Sequence, residues 1–273
     1  MTSRRTLAPL FAVTLAALVA CQPADDAADA PSDTAAAAEG GDAVTVVAKD
    51  FEFEAPRTVA SGWNDFRFVN ESDEQEHFFL LWKLPEDVTF ADYKRDVTEV
   101  FSEVWSRYDA GELTAQETIE QLGEQLPEWY FTDIEAYGGA ALTEPGRASE
   151  VTLRLDPGTY AMECYVKTPQ GTWHTDRGMV RELTVSTDST GEAAPEADVE
   201  MTLSNFEIAV SDSFRAGPQT VAVHVTATPE GLMPHDINLF RIESDTTTVE
   251  ELVTWMNWMD LKQFRAPAPG IAL

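Results

Sequence analysis

Apolar and polar residues alternate over several short stretches of this chain, a spacing that predicts β-strands. Turn residues such as the Asp156-Pro157-Gly158 triplet separate these stretches, which favours a β-sandwich over a helical or doubly wound fold. The predicted strands cover residues 43–49, 65–69, 78–84, 151–155, 159–166 and 179–185. We therefore predict an all-β domain that spans residues 43–185.

A helical pattern interrupts the strands over residues 86–135. Apolar residues recur there every three or four positions, as they do on the buried face of a helix. Thr89 and Thr114 each precede an acidic residue by three positions, which is the capping pattern of a helix start, and Gly111 can end the first helix. We predict an inserted helical hairpin that either covers one end of the sandwich or pads one of its faces.

The N-terminal residues have the pattern of an export signal. Residues 7–20 form an apolar run behind two arginines, and the run ends in LVAC at residues 18–21. Those four residues resemble a bacterial lipobox, so we predict a signal peptide over residues 1–20 and a lipid on Cys21. An ordinary secretory signal followed by a chance cysteine is the alternative. Residues 21–42 lack large apolar side chains and predict a disordered tether.

The pattern of the first half begins again after a second low-complexity stretch, residues 186–198, which predicts a linker. The matching segments are NFEI at 205–208 with DFEF at 50–53, and PHDINLF at 234–240 with the stretch around HFFLL at 77–81. A capped helix follows in both halves. We predict an internal duplication in which residues 199–273 are an incomplete second copy, without counterparts of strands 151–185. Either the sequence is a fragment or another chain completes the sheet.

Three side chains with soft or nitrogen donors lie around one predicted turn. Cys164 ends a strand, His174 lies in the turn, and Met179 begins the next strand. A thiolate, an imidazole and a thioether suit copper better than calcium or magnesium, and His77 is the upstream candidate for a second imidazole. Each residue has a structural alternative: Cys164 as a small buried residue, His174 as a polar loop residue, and Met179 as core filler.

The two cysteines of the chain have different predicted roles. With Cys21 assigned to a lipid, Cys164 is the remaining thiol, so an internal disulfide is excluded and the thiol is either inert or a ligand. The four histidines are scattered, which disfavours a multicopper oxidase or a nitrite reductase, because such an enzyme needs further histidines for a catalytic copper.

The segments NESDEQEH at 70–77, GTYAMEC at 158–164 and HTDRGM at 174–179 resemble the ligand segments of cupredoxins, the type 1 blue copper proteins. The resemblance covers residues 43–185 and implies a Greek-key cupredoxin-like β-sandwich with one copper ion. It implies that His77, Cys164 and His174 are the equatorial ligands and that Met179 is the weak axial ligand. Such a set suits neither copper oxidation state ideally, so it implies fast one-electron transfer rather than enzymatic catalysis.

The chain of 273 residues carries a formal net charge of −30. This charge repels nucleic-acid phosphates and excludes nucleic acid as a partner, whereas it would attract a basic redox protein; good solubility is the alternative reason for it. The main hypothesis is an envelope-anchored electron carrier that contacts the membrane only through its lipid and exchanges electrons with a redox partner in the envelope. A copper-delivery protein without redox cycling and a metal-free scaffold lipoprotein are the alternatives.

Overall fold

The structure is a computed structural model that describes residues 43–228, 235, 237–242, 246–256 and 271–272. The predicted signal peptide, the predicted tether and Cys21 lie outside these residues. Among the helices of the described part, none combines the length and the apolar character that crossing a bilayer requires.

The first half of the described chain forms a β-sandwich. Its strands are β1 (Val44–Lys49), β2 (Glu52–Glu54), β3 (Thr58–Asn70), β4 (Leu80–Lys83), β5 (Glu135–Gly138), β6 (Ala148–Leu155), β7 (Gly158–Glu163) and β8 (Val180–Ser189). Strands β2, β1, β3 and β6 form one sheet, and β3, β8, β7, β4 and β5 form the other. The predicted β-sandwich with a helical insertion is confirmed.

Strand β3 belongs to both sheets and changes from one to the other near Gly62. Its first residues pair in parallel with β8, and from Gly62 onward it pairs antiparallel with β6. Gly62 has a φ of +99°, a backbone conformation that glycine adopts without the steric penalty of a side chain. The Asn64 side-chain amide donates to the carbonyls of Ala60 and Gly62, 3.0 Å from each, so it stabilises the bend.

The core between the two sheets follows the alternation of the strands. In β3, Phe66 and Phe68 are buried, whereas Asp65 and Arg67 point to solvent. Other large buried side chains of this core are Phe79, Leu81, Leu155, Tyr160, Met162, Met179 and Leu183. Cys164 lies at the edge of the same core, immediately after β7. The sandwich therefore encloses the candidate ligands in an apolar interior.

The insertion contains more helical segments than the predicted hairpin. They are α1 (Phe90–Tyr93), a π-helical turn (Lys94–Thr98), α2 (Glu99–Asp109), α3 (Ala115–Gln125) and α4 (Glu128–Thr132). Both predicted capping pairs are present, with Thr89 and Thr114 each accepting a hydrogen bond from the backbone three residues later. Gly111, whose φ is +74°, follows the end of α2 as predicted. The predicted start points were therefore accurate, while the π-turn and α4 were not foreseen.

The insertion packs on the outer face of β4 and β7 and also reaches the turn that carries His174. Trp82 and Ala161 belong to the buried cluster beneath the helices, and Trp173 joins the same cluster from the ligand turn. The Glu163 carboxylate accepts hydrogen bonds from Trp82 Nε1 at 2.7 Å and from Tyr93 Oη at 2.8 Å. The helices thus cover one face of the sandwich and the flank of its ligand end.

The described residues beyond position 198 form shorter elements. They are β9 (Val199–Ser204), β10 (Glu207–Val210), β11 (Val221–Ala227), β12 (Arg241–Ile242), α5 (Val249–Met256) and β13 (Ile271–Ala272). Strand β9 pairs antiparallel with β10 and parallel with β11, as β1 does with β2 and β3. The parallel pairs also have the same register, since Val199 faces Val221 as Val44 faces Phe66. A second copy over residues 199–273 stays a prediction.

Several predicted boundaries differ from the structure. Strand β8 continues to Ser189 inside the segment predicted as a linker, residues 186–198, because its end pairs with the start of β3. The strand predicted over residues 65–69 is part of the much longer β3. Strands β2 and β5 were not predicted, because three or four residues are too few to establish an alternating pattern.

Replacing Gly139 should disturb the junction between β5 and the His77 region. A Cβ atom on Gly139 would lie 1.7 Å from the Phe79 carbonyl oxygen, so the backbone must move. We expect Gly139→Ala to lower the free energy of unfolding by about 3 kcal/mol, measured by urea denaturation. Gly123→Ala is the control, since nothing lies within 4 Å of its Cβ position in α3 and alanine favours a helix. Equal stability of both variants would contradict this packing.

Candidate metal centre

Three side chains converge at one end of the sandwich core. The Nδ1 atoms of His77 and His174 lie 3.1 Å apart, and Cys164 Sγ lies 3.8 Å from the first and 3.6 Å from the second. All three residues are fully buried. A single transition-metal ion, with bonds of about 2.0–2.3 Å to nitrogen and sulfur, can contact all three atoms of such a triangle. In the described part of the chain these residues form a possible metal-binding group.

Main-chain hydrogen bonds close the segment that carries Cys164, His174 and Met179. The N–H of Cys164 donates to the carbonyl of Met179 at 3.1 Å, and the N–H of Met179 donates to the carbonyl of His174 at 2.9 Å. The N–H of His174 donates to the carbonyl of Val166 at 2.8 Å. Met179 is fully buried, and its main chain lies beside that of Cys164. Pairing of β7 with β8 thus continues into the ligand turn and fixes its shape.

His77 lies on a separate loop that Asn70 and Thr143 hold in place. The main chains of His77 and Thr143 exchange two hydrogen bonds, at 3.1 and 2.7 Å. The Asn70 side chain donates to the carbonyls of Gln75 at 2.8 Å and Thr143 at 2.9 Å, and its Oδ1 accepts from the N–H of Ser72 at 3.0 Å. One buried amide at the end of β3 therefore organises the whole loop.

Ser72 orients the imidazole of His77. Its Oγ lies 2.8 Å from His77 Nε2, on the side of the ring opposite the other two donors. When Nε2 carries the proton and donates to Ser72, the lone pair of Nδ1 points toward Cys164 and His174. Hydrogen bonds of this kind fix the ring tautomer and strengthen a histidine as a metal ligand.

The polar atoms of this cluster fit a metal ion better than they fit one another. The Cys164 sulfur lies 3.8 and 3.6 Å from the Nδ1 atoms of His77 and His174, so its contacts to the two imidazoles are long. Buried polar groups without good partners are costly, and an ion bound by the three lone pairs would compensate for part of this cost. A thiolate and two imidazoles are the donor set that copper and zinc prefer.

Burial shifts the pKa values of all three groups toward their neutral forms. It raises the pKa of the Cys164 thiol to about 12 and lowers the pKa of His77 to about 4. For His174, burial together with the neighbouring His77 and Arg177 lowers the pKa to about 3. In the metal-free protein both imidazoles are therefore neutral and ready to bind, whereas the thiol must release its proton when a metal ion binds.

Aromatic side chains enclose the cluster on two sides. The Phe51 ring contacts His174 edge-to-face with a centroid distance of 5.0 Å and lies 6.4 Å from the ring of His77. On the other side Trp173, next to His174, packs against Trp105 of α2 at 5.1 Å. Phe51 therefore gives both imidazoles an apolar neighbour, while Trp173 belongs to the buried cluster beneath the helices.

The structure thus brings His77, Cys164 and His174 together, and it places Met179 in the adjoining strand, while Cys21 lies outside the described residues. Sequence reasoning missed Ser72 and Phe51 as residues of the site. The repeated DFEF and NFEI segments marked the position of Phe51, but nothing in the sequence indicated that its ring would reach the ligands. Asn70 was noted only as part of the family-like segment.

No family model matches the chain, and no curated protein matches it either. Among solved structures it is similar to reduced auracyanin from Roseiflexus castenholzii, with 21% identity and a TM-score of 0.32 over 53% of this chain and 96% of that chain. Auracyanin A, a "blue" copper protein from Chloroflexus aurantiacus, has 17% identity and a TM-score of 0.29, covering 52% of this chain and 99% of its own. Rusticyanin from Thiobacillus ferrooxidans has 15% identity and a TM-score of 0.28, covering 54% and 79%.

With TM-scores below 0.5, no statement about this chain rests on these proteins. At identities this low, no residue role is carried over from these proteins to this chain. The metal centre rests instead on the three interatomic distances and on the burial of the three donors.

Loss of the Asn70 amide should destabilise the His77 loop. Asn70→Ala removes three hydrogen bonds and leaves buried main-chain groups without partners. We expect the free energy of unfolding to fall by about 2–3 kcal/mol in urea denaturation. Gln116→Ala, at an exposed position of α3, should change it by less than about 0.5 kcal/mol. An effect of Asn70→Ala as small as that of the control would show that the amide does not organise the loop.

The buried imidazoles should make the metal-free protein sensitive to mild acid. His77 and His174 have low pKa values in the folded state, so the unfolded chain binds more protons as the pH falls below the ordinary histidine pKa of about 6.5. Stability should therefore fall between pH 6.5 and 5, by up to about 1.4 kcal/mol per pH unit for each imidazole. Urea midpoints with a chelator present measure this slope, which the variant His77→Leu/His174→Leu should lose. A wild-type stability that is flat across this window would contradict the burial of neutral imidazoles.

Proposed function

We propose that this chain is a copper-binding protein that carries single electrons. His77, Cys164 and His174 are the three close ligands of one copper ion, and Met179 supplies a weak fourth contact. The observation that carries this proposal is the convergence of two imidazole nitrogens and one thiol sulfur within 3.8 Å of one another in a buried core. Copper is the metal that this combination of soft sulfur and nitrogen donors favours when the exchange of electrons is the task.

When bound, the copper ion supplies a one-electron couple. The residues of the chain hold their donor atoms in fixed positions, so that the site does not need to rearrange when the charge of the ion changes. The Asn70 network fixes the His77 loop, and pairing of β7 with β8 fixes the turn with Cys164 and His174. The surrounding aromatic rings exclude water, which favours the less charged state of a metal site.

The burial of the donors supports a carrier rather than an enzyme. All three are fully buried, and the proposed weak contact of the buried Met179 occupies the fourth side. A substrate molecule therefore finds no open coordination position on the ion. An electron can still be exchanged, because its transfer needs only contact with a side chain that covers the site.

We further propose that the protein is lipid-anchored at the cell envelope through Cys21 and exchanges electrons there with a redox protein. The support is the LVAC segment at residues 18–21 and the low-complexity stretch behind it. The charge of −30 favours a basic partner. We also propose that residues 199–273 are a second, incomplete cupredoxin-like copy. Strands β9, β10 and β11 support it, because they repeat the pairing and the register of β1, β2 and β3.

A visible spectrum of copper-loaded protein tests this function. We expect one copper ion per chain and an intense blue band from charge transfer between the Cys164 thiolate and Cu(II). Cys164→Ser should abolish the band because it removes the thiolate. Cys21→Ser is the matched control and should keep it.

Met179→Leu should keep an intense band while shifting the reduction potential, because the weak fourth contact tunes the ion without supplying the charge-transfer donor. Folded wild-type protein that binds no copper, or that binds it without this band, would refute the proposed electron carrier.

A further inference from the structure

The two aromatic walls beside His174 differ in thickness. On the insertion side Trp173 is buried, and behind it lie Trp105, also buried, and the fully buried Lys167. The Lys167 ammonium lies 4.2 Å from the Trp173 ring and 4.7 Å from the Trp105 ring, so a cation tightens this packing. Several buried side chains therefore lie on this side of His174.

A single aromatic ring lies against His174 on the other side. Phe51 is half-buried, and it contacts His174 on one side while the exposed Arg177 covers it on the other. The Arg177 guanidinium lies 4.3 Å from the centre of the Phe51 ring, within the range of a cation–π contact. On this side Phe51 therefore separates His174 from the exposed Arg177.

The backbone on both sides of this contact is shaped for it. Asp50 has a φ of +53°, so the turn between β1 and β2 is tight and presents Phe51 at its tip. Gly178 has a φ of +121°, and a Cβ atom there would lie 3.2 Å from the Phe51 carbonyl oxygen. Glycine thus lets the ligand turn approach the Phe51 turn closely.

Among the described residues, a second turn of the same kind joins β9 and β10. Asn205 in this turn also has a φ of +53°, and Phe206 follows it as Phe51 follows Asp50. Phe206 is 83% exposed. Phe51 is half-buried by comparison, because His174 and Arg177 lie on either side of it.

We propose that Phe51 is the lid of the metal centre, clamped by Arg177, and that copper and redox reagents reach His174 by displacing this ring. This inference rests on the proposed function for its purpose, but the access route itself can be tested without copper. Displacing Phe51 breaks one exposed cation–π contact and the packing of one half-buried ring but no strand pairing, so the lid opens without unfolding of the sandwich.

The first test measures access to Cys164 in the metal-free full-length protein. The probe is N-ethylmaleimide, and the modified Cys164 peptide is quantified by mass spectrometry so that Cys21 does not interfere. We expect Phe51→Ala to raise the rate of Cys164 modification several-fold, because it removes the single ring over the site. The matched control is Phe206→Ala, which should leave the rate unchanged. Tyr108→Ala, on the insertion side next to Trp105, should also leave it unchanged.

Arg177→Gln keeps the test decisive if Phe51→Ala folds poorly, because Arg177 is exposed and its loss should not unfold the domain. It should also raise the modification rate, whereas Arg147→Gln at another exposed position should not. Urea denaturation of each variant separates local opening from a change in global stability. Unchanged rates in both Phe51→Ala and Arg177→Gln, or a larger effect at Tyr108, would overturn the proposal.

The second test uses copper-loaded protein and follows the removal of copper by a chelator. Phe51→Ala and Arg177→Gln should speed up removal relative to wild type, and Phe206→Ala should not. The two proposals fail separately: if no blue copper site forms but Cys164 becomes accessible as described, the lid stands and the electron-carrier function falls. If the blue band forms and neither variant alters access or copper removal, the function stands and the lid falls.

Discussion

The candidate metal centre depends on hydrogen bonds that close two loops against each other at one end of the sandwich. One loop follows β3 and is held by the buried Asn70 amide; the other follows β7 and is held by the pairing of Cys164 with Met179. These hydrogen bonds hold two imidazole nitrogens and a thiol sulfur within 3.8 Å of one another in a buried core, although those groups gain little from one another without an ion. The folded protein therefore holds the three donor groups together, at a cost in free energy, before a metal ion binds.

Strand β7 connects this site with the helical insertion. Successive side chains of a strand point to opposite faces, so Met162 points into the sandwich core while Glu163 points toward the helices. Glu163 accepts hydrogen bonds from Trp82 and Tyr93, which attaches the insertion to the sheet. The insertion in turn reaches Trp173, the neighbour of His174. The helices thus pack against the segment that carries His174 as well as covering one sheet.

The sequence was sufficient to predict the features that depend on local patterns. Alternation located the strands, the threonine caps located the helix starts, and the order of His77, Cys164, His174 and Met179 identified the candidate ligands. It was insufficient where a role depends on distant contacts. The change of sheet at Gly62 needs the partners of β3 on both sides, and the part played by Ser72 depends on where the His77 ring points. No local pattern carries such information.

The turns that carry Phe51 and Phe206 show the effects of local sequence and of distant contacts separately within one molecule. Asp50 and Asn205 have the same φ of +53° and each is followed by a phenylalanine, so the local sequence determines the turn in both places. The fates of the two rings differ, because Phe51 lies between His174 and Arg177 while Phe206 is 83% exposed. The contacts that cover Phe51 come from the ligand turn, which Gly178 allows to approach. The same local turn thus carries a surface ring in one hairpin and a neighbour of the candidate ligands in the other.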